Sequence, residues 1–269
     1  MHNPQLLVLR ERLAAFGLNV VGVAAPDVYD AGVPPAQAAR QVFAATRAII
    51  VVASGGPALW QAFLDDLRAQ PRHLLDEPHP LDAFVQRSVG GVDADWTVAQ
   101  RRWVFAAASE PIAVDFRVLG EAAGIGGRSR LQLLMHPMHG TWLGLRAACF
   151  IDAPLAADRP GAADVCAQCP APCMSACPGA AFTSGSWDVD ACAEFHTQSA
   201  VCEKSCQARL ACPVGVASRY PLEERTYHYN RRVGRQWLRR ELGVHASSDR
   251  HEGLGPHWAS WRSVREPRE

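Results

Sequence analysis

The chain has 269 residues, 48% of them apolar and 20% charged, and its 27 basic and 27 acidic side chains cancel. That length can bury one large core and a small second module, and the balanced charge argues against a partner held through bulk positive charge, such as nucleic acid. Arg10, Glu11 and Arg12 interrupt the first apolar stretch before a signal-peptide core develops, and no later run approaches the roughly 20 apolar residues of a membrane span. The expectation is a cytoplasmic protein with no membrane partner.

Leu6, Leu9, Leu13 and Phe16 recur at helical spacing after Pro4, and Gly17 follows as a C-terminal cap. Residues 18–25 (LNVVGVAA) read as a buried strand, 34–48 as a helix opened by proline, and 48–54 (AIIVVAS) as a second buried strand. Gly55, Gly56 and Pro57 mark a turn before a helix carrying Leu59, Phe63 and Leu67. Residues 79–109 read as mostly helical, with an interruption at Val89, Gly90 and Gly91. A helix over 114–123 leads to the turn Gly124–Ile125–Gly126–Gly127. Two strands, 131–136 and 141–151, then resemble a hairpin closed by Pro137 to Gly140. Residues 153–164 are rich in Ala, Pro and Asp and form a candidate linker. The expected organisation is a front domain over 1–160, a small module over 161–220 and an Arg- and aromatic-rich extension over 221–269, which reads as a mixed, solvated face that packs back over the front domain.

Eight of the nine cysteines fall between Cys166 and Cys212, a crowding that favours metal ligation over disulfides in a reducing compartment; Cys149 stands apart as a small hydrophobe. The first run is Cys166-x2-Cys169-x3-Cys173-x3-Cys177-Pro178. After a gap come Cys192 and Cys202-x3-Cys206-x5-Cys212-Pro213. Both halves end in Cys-Pro, as in the ferredoxin pattern, where three close cysteines hold one 4Fe–4S cluster and the cysteine before proline reaches the other. Cys166, Cys169, Cys173 and Cys212 would then hold one cluster, and Cys177, Cys192, Cys202 and Cys206 the second. The spacings depart from the ferredoxin pattern by one residue in the first run and by more in the second. Two zinc sites would call for paired Cys-x2-Cys hooks, and only Cys166 and Cys169 have that form.

The cysteine segment resembles the C-terminal part of epoxyqueuosine reductase, a family that uses cobalamin and two 4Fe–4S clusters on a queuosine precursor in tRNA. Upstream, Ala123-Gly124-Ile125-Gly126 and His139-Gly140-Thr141-Trp142 are similar to that family's glycine turn and Gly-Ser-Trp. The stretches 54–85 and 135–152 also resemble the type C cobalamin-processing proteins, decyanases and dealkylases in which the arginine matching Arg146 lies by the cobalamin and thiol site. Both resemblances imply a nitroreductase-like, corrinoid-binding domain, and the cysteine run with its resemblance to the reductase adds a ferredoxin-like 2(4Fe–4S) domain after it, in an α/β (α+β) protein. The reductase's Trp and Lys-Asn are replaced here by Gly127-Arg128-Ser129-Arg130, and its catalytic aspartate falls near Glu110 or, less well, Asp115, which weakens the case for tRNA chemistry.

The resulting expectation is a cobalamin-binding iron–sulfur oxidoreductase, its clusters reduced by an external donor such as a flavodoxin or ferredoxin. It would act on the corrinoid itself or on a small-molecule substrate. Alternatives are an epoxyqueuosine reductase-like enzyme acting on tRNA and a ferredoxin-type electron carrier without corrinoid; a flavin in the front domain stays open. Candidate cofactor contacts are Gly124, Gly126 and Gly127, where backbone can approach a flat ring, His136 with His139 nearby, Trp142 as a stacking surface and Arg146 as a planar donor fork. Glu110 is the candidate general acid, and Tyr227, His228 and Tyr229 are candidates for closing the pocket. A plain tight turn, structural histidines, a core tryptophan and a surface salt bridge are the competing assignments.

Overall fold

The computed structural model describes residues 4–96, 100–108, 113–160, 165–183, 186–245 and 251. The architecture is mixed α/β. Helix α1 (Pro4–Ala14) precedes strand β1 (Val20–Ala24); α2 (Pro26–Asp30), a 3-10 turn (Pro35–Gln37) and α3 (Ala39–Val42) lead to β2 (Ala48–Gly55). Helices α4 (Ala58–Ala69), α5 (Arg72–Asp76) and α6 (Pro80–Ala94) are followed by β3 (Arg101–Phe105), α7 (Phe116–Ala122), β4 (Gly127–Arg128), β5 (Leu134–Met135) and β6 (Leu143–Ile151). The cysteine-rich segment contributes α8 (Pro172–Ser175), β7 (Phe182–Thr183), β8 (Ser186–Trp187), α9 (Val189–Gln198) and α10 (Gln207–Ala211). A second 3-10 turn (Val216–Ser218), α11 (Leu222–Tyr229) and α12 (Arg231–Glu241) complete the order.

The principal sheet runs β1-β2-β6-β3, with every pair antiparallel. All eight residues of β2 are buried, because both faces of the sheet are covered. Ala48, Ile50 and Val52 enter one core beside Leu59, Trp60, Phe63 and Leu67 of α4, while Ile49, Val51 and Ala53 enter the opposite core with Leu119 of α7. Strand β6 alternates likewise, with Cys149 and Ile151 on the first face and Ala148 and Phe150 on the second. A strand covered on both sides reads as an unbroken apolar run, which is how 48–54 reads.

Four local expectations are corrected. Residues 34–48 hold a 3-10 turn and one short helix in place of a continuous helix; no apolar stripe of useful length runs through them, and isolated short helices are marginal. Helix α6 continues through Gly90 and Gly91, whose exposed side has open space, because Leu81, Phe84, Val85, Val89 and Val92 anchor its buried stripe. Residues 101–105 are an edge strand, with Arg101 also bonded to Asp93. The hairpin does not form either: β5 pairs with β4, and β6 lies between β2 and β3.

Residues 153–160 run past the outer edge of β1, where the Asp158 amide donates to the Val23 carbonyl at 2.8 Å and the Asp158 carboxylate accepts from the Val23 amide at 2.9 Å. That contact covers an otherwise open strand edge. Tyr227 and Leu238 bring α11 and α12 into the first core. Arg235 on α12 is 1% exposed and donates to the carbonyls of Leu74 and Glu77, satisfying groups at the end of α5. The expected packing of the extension onto the front domain is seen in these residues, but with a buried arginine in place of a wholly solvated basic face. Among the described residues no helix is long and apolar enough to cross a membrane.

Candidate functional site

The cysteine segment has little apolar core of its own. Its cluster of buried residues is Leu131, Cys173 and Ala208, with Met174, Cys177, Phe182 and Cys206 packed against it. The cysteines fall into two spatial groups. Burial raises the Cys173 thiol, and charge at Cys212, Cys166 and Cys169 raises it further; Cys212 responds to burial and then to Cys166 and Cys169. In the other group burial lifts Cys192 to about 11 against a bond from Trp187, with Cys206, Cys177 and Cys202 adding to the rise. Cys206 and Cys202 are raised by burial and by members of that second group. All eight cysteines are free thiols. Among the described residues no three Cys, His, Asp or Glu side chains are arranged to hold a single metal ion.

Each group lines a space. Cys166, Cys169, Cys173 and Cys212 border a small cleft with Arg130 and Met135. Cys177, Cys192, Cys202 and Cys206 border a much larger cavity of about 630 Å³ between the cysteine segment and β6. Backbone amides point at the sulfurs: Ala171 N donates to Cys169 Sγ at 3.4 Å and Arg209 N to Cys206 Sγ at 3.5 Å. Such donors favour the thiolate and tune the potential of a cluster bound to it.

Across the large cavity stand Leu143, Gly144 and Arg146 of β6. The register between β2 and β6 shifts at Val52/Ala53, where Val52 faces Ala147 and Ala53 faces Leu145, so Arg146 is the extra residue of a bulge. Bulges re-aim a side chain. Here the guanidinium folds back over Gly144, where an added Cβ would lie 2.8 Å from it, and Nε donates to Ser54 Oγ at 3.0 Å. Arg146 also borders a second cavity of about 240 Å³ walled by Leu81, Val85 and Phe105 with Asp82, Gln86 and Arg231. His228 borders both cavities, Tyr227 the smaller and Tyr229 the larger.

The other candidates sit elsewhere. The space an added Cβ would need at Gly124 is taken by the Arg159 carbonyl and at Gly126 by that of Met135, while Gly127 pairs with Met135. These glycines admit the protein's own backbone, and neither large space is lined by them. His136 Nδ1 accepts from the amides of Met138 and His139, closing its own turn, and the ring lies 4.7 Å from that of His139, tilted 33° to it. Burial, reinforced by His139, lowers the His136 pKa; burial lowers that of His139, which bonds Ser218 at 2.8 Å. Trp142 is 1% exposed and its ring is covered by the Arg209 guanidinium at 4.4 Å. It supports Arg209, which in turn borders the large cavity and donates to the Thr141 carbonyl at 2.6 Å. Glu110 lies outside the described residues.

Two residues escaped the sequence reading. Arg209 sits between Trp142 and Tyr220 and ties the cysteine segment to the front domain. Glu224 is 1% exposed, with its carboxyl pushed up to about 8 by burial against the opposing pull of Arg146 and Arg209. The run Pro221-Leu222-Glu223-Glu224 reads as an ordinary acidic helix start, and nothing local distinguishes the buried Glu224 from the half-buried Glu223.

No protein-family model matches the sequence, and no curated protein matches it by sequence. Solved structures do match its fold. A C. elegans B12-trafficking protein, CblC, matches with a TM-score of 0.58 at 12% identity, over 90% of this chain and 96% of that one. Epoxyqueuosine reductase from Bacillus subtilis matches with a TM-score of 0.57 at 15% identity, over 81% of this chain and 67% of that one. The enzyme from Streptococcus thermophilus gives 0.54 at 15% identity, over 80% and 67%. The chain has the fold these two kinds of protein share, and both resemblances drawn from the sequence meet in that single fold.

Proposed function

We propose that this protein is a cobalamin-binding iron–sulfur reductase. The observation that carries the reading is the cavity of about 630 Å³ with four cysteines on one wall and a bulge-directed arginine on the other. Its volume is in the range of sites for sizeable organic ligands, and its lining is largely apolar, with Leu131, Leu133, Leu143, Phe182 and Trp187 beside the polar groups. The fold shared with a B12-trafficking protein supports a corrinoid as the occupant.

The two cysteine groups fit two 4Fe–4S clusters in donor type and number. Cys177, Cys192, Cys202 and Cys206 would hold the cluster facing the cavity; Cys166, Cys169, Cys173 and Cys212 would hold the other, in a ferredoxin-like arrangement. A bound corrinoid would supply cobalt-centred redox chemistry. Arg146 orients a bound amide, phosphate or carboxylate through its planar donors and brings positive charge to the junction of the two cavities. Phe182 and Trp187, stacked 6.2 Å apart, cover an apolar wall and limit water there. The smaller polar cavity beside Arg146 would hold the small substrate or the group to be released. Electrons would enter through the outer cysteine group from an external one-electron donor, such as a flavodoxin or ferredoxin.

The test is the visible spectrum of anaerobically reconstituted protein before and after addition of cob(II)alamin. A cluster band followed by a shift of the corrin bands to a base-off form is expected. A cluster band with unchanged corrin bands would refute corrin binding and leave an electron carrier.

A further inference from the structure

Beside His228, which borders both cavities, lies a buried carboxylic acid that no binding role explains. Glu224 Oε2 makes no hydrogen bond among the described residues, and Oε1 stands 3.8 Å from Nε2 of His228, one helical turn along α11. The groups that face this carboxyl are Arg146 from β6, Arg209 from α10, and Glu223 and His228 from its own helix. Tyr220, whose ring lies 5.8 Å from that of His228, completes the surround. A buried acid beside two arginines is ordinarily an ion-paired carboxylate. Here neither arginine bonds it: Arg146 is turned to Ser54, and Arg209 to Thr141.

We propose that Glu224 and His228 form a proton-supplying pair for the reduction that takes place where the cavities meet. Glu224 Oε1–H passes its proton to His228 Nε2, and the imidazolium releases its Nδ1 proton to the substrate or departing ligand beside Arg146. Glu224 is left as a carboxylate and His228 with its proton on Nε2; the pair is reset when His228 Nδ1 takes a proton from water and Nε2–H returns its proton to Glu224, while electrons come from the cysteine-bound clusters, refilled by the external donor. Transfer needs a separation of roughly 3 Å, so the step requires His228, whose side chain is 27% exposed, to turn toward Glu224 from the 3.8 Å seen here. Burial holds the proton on Glu224 through neutral pH. His228, bordering both cavities, is the member that touches the reacting groups, and Glu224 acts through it.

This rests on the reductase reading, and the test separates the two. Infrared difference spectra of the full-length protein, wild type against Glu224→Gln, are recorded without corrinoid across a pH series. A protonated-carboxyl band that persists at neutral pH, titrates near 8 and is missing from the variant is expected; a wild-type protein without that band at pH 7 overturns the proposal. Reductive release of cyanide from cyanocobalamin, which takes one electron and one proton to cob(II)alamin and HCN, is then followed against pH. Glu224→Gln should slow it about 100-fold at neutral pH and remove the alkaline limb while corrin binding is unchanged. His228→Asn, which leaves the carboxyl in place, should do the same. A bound corrin with an unaltered pH profile in both variants overturns this proposal alone. Absence of any corrin shift in the wild type overturns the reductase reading and this one with it.

Discussion

The sheet domain and the cysteine segment are held together by different physics. Strands β2 and β6 put buried side chains into two cores, and removal of apolar area from water, worth about 25 cal/mol per Å², is sufficient to organise them. Residues 165–215 contain short helices of four to ten residues, a two-stranded ribbon and one small buried cluster. A segment with so little to bury needs another source of order, and eight thiols in two groups provide one if metal clusters bind. Specificity in the first region is spread over dozens of packed side chains. In the second it would be concentrated in the few residues that hold those clusters.

The comparison breaks most sharply if the ligands are removed. Iron chelation, or Cys192→Ala, should unfold much of 165–215 while the sheet survives, since ligation in small metal sites is worth on the order of 10 kcal/mol. Limited proteolysis read by mass spectrometry should show new cuts confined to that segment; cuts spread evenly through the chain would remove the distinction. The reverse experiment is Phe150→Ala, which opens a cavity at a fully buried position of β6. A loss of about 3–5 kcal/mol is expected, read as a lower urea midpoint with iron content per folded chain unchanged.

How much of this was legible in the sequence follows the same division. The β2 run and the α4 periodicity could be read because burial imposes a pattern on consecutive residues. That the cysteines divide into two groups could be read because the spacing of the run resembles that of a ferredoxin. What stayed hidden depends on neighbours distant in the chain. Strand β3 is short and carries Arg101 and Arg102, so only its pairing with β6 reveals it. The glycine turn at Gly124 to Gly127 looked like a cofactor cradle, yet backbone from Arg159 and Met135 fills it. Arg146 was visible as a candidate, but the bulge that aims it was not, because a bulge is a property of two strands in register. Glu224 differs from Glu223 only in what α11 packs against.

That buried acid sharpens the comparison at the seam between the two regions. Its folded pKa of about 8 stands above its ordinary value of 4.5. Between those pH values the unfolded chain releases a proton that the folded chain keeps, so the burial stabilises the unfolded state increasingly as pH rises from about 5 to 8 and costs a constant amount above that. Glu224→Gln should therefore gain on the wild type by about 4 kcal/mol between pH 5 and 9, measured as the difference in urea midpoints at each pH. Equal differences at both ends would mean that Glu224 is ionised throughout.

The smallest effect separates the two kinds of cysteine. Cys149 lies on β6 in the sheet's first core, 0% exposed, and burial drives its thiol pKa far upward. A thiol so held is an apolar side chain in all but name, unable to offer a thiolate to metal. Cys149→Ala should lower stability by about 1 kcal/mol through a small cavity and leave iron per chain unaltered. Thiol titration of the iron-free protein, its sheet still folded, should find Cys149 unreactive while the eight cysteines of the other region react, as expected if bound clusters supply that region's order. A ninth reactive thiol under those conditions would show that the sheet depends on the cysteine segment for its own packing, and that the two regions share one source of stability.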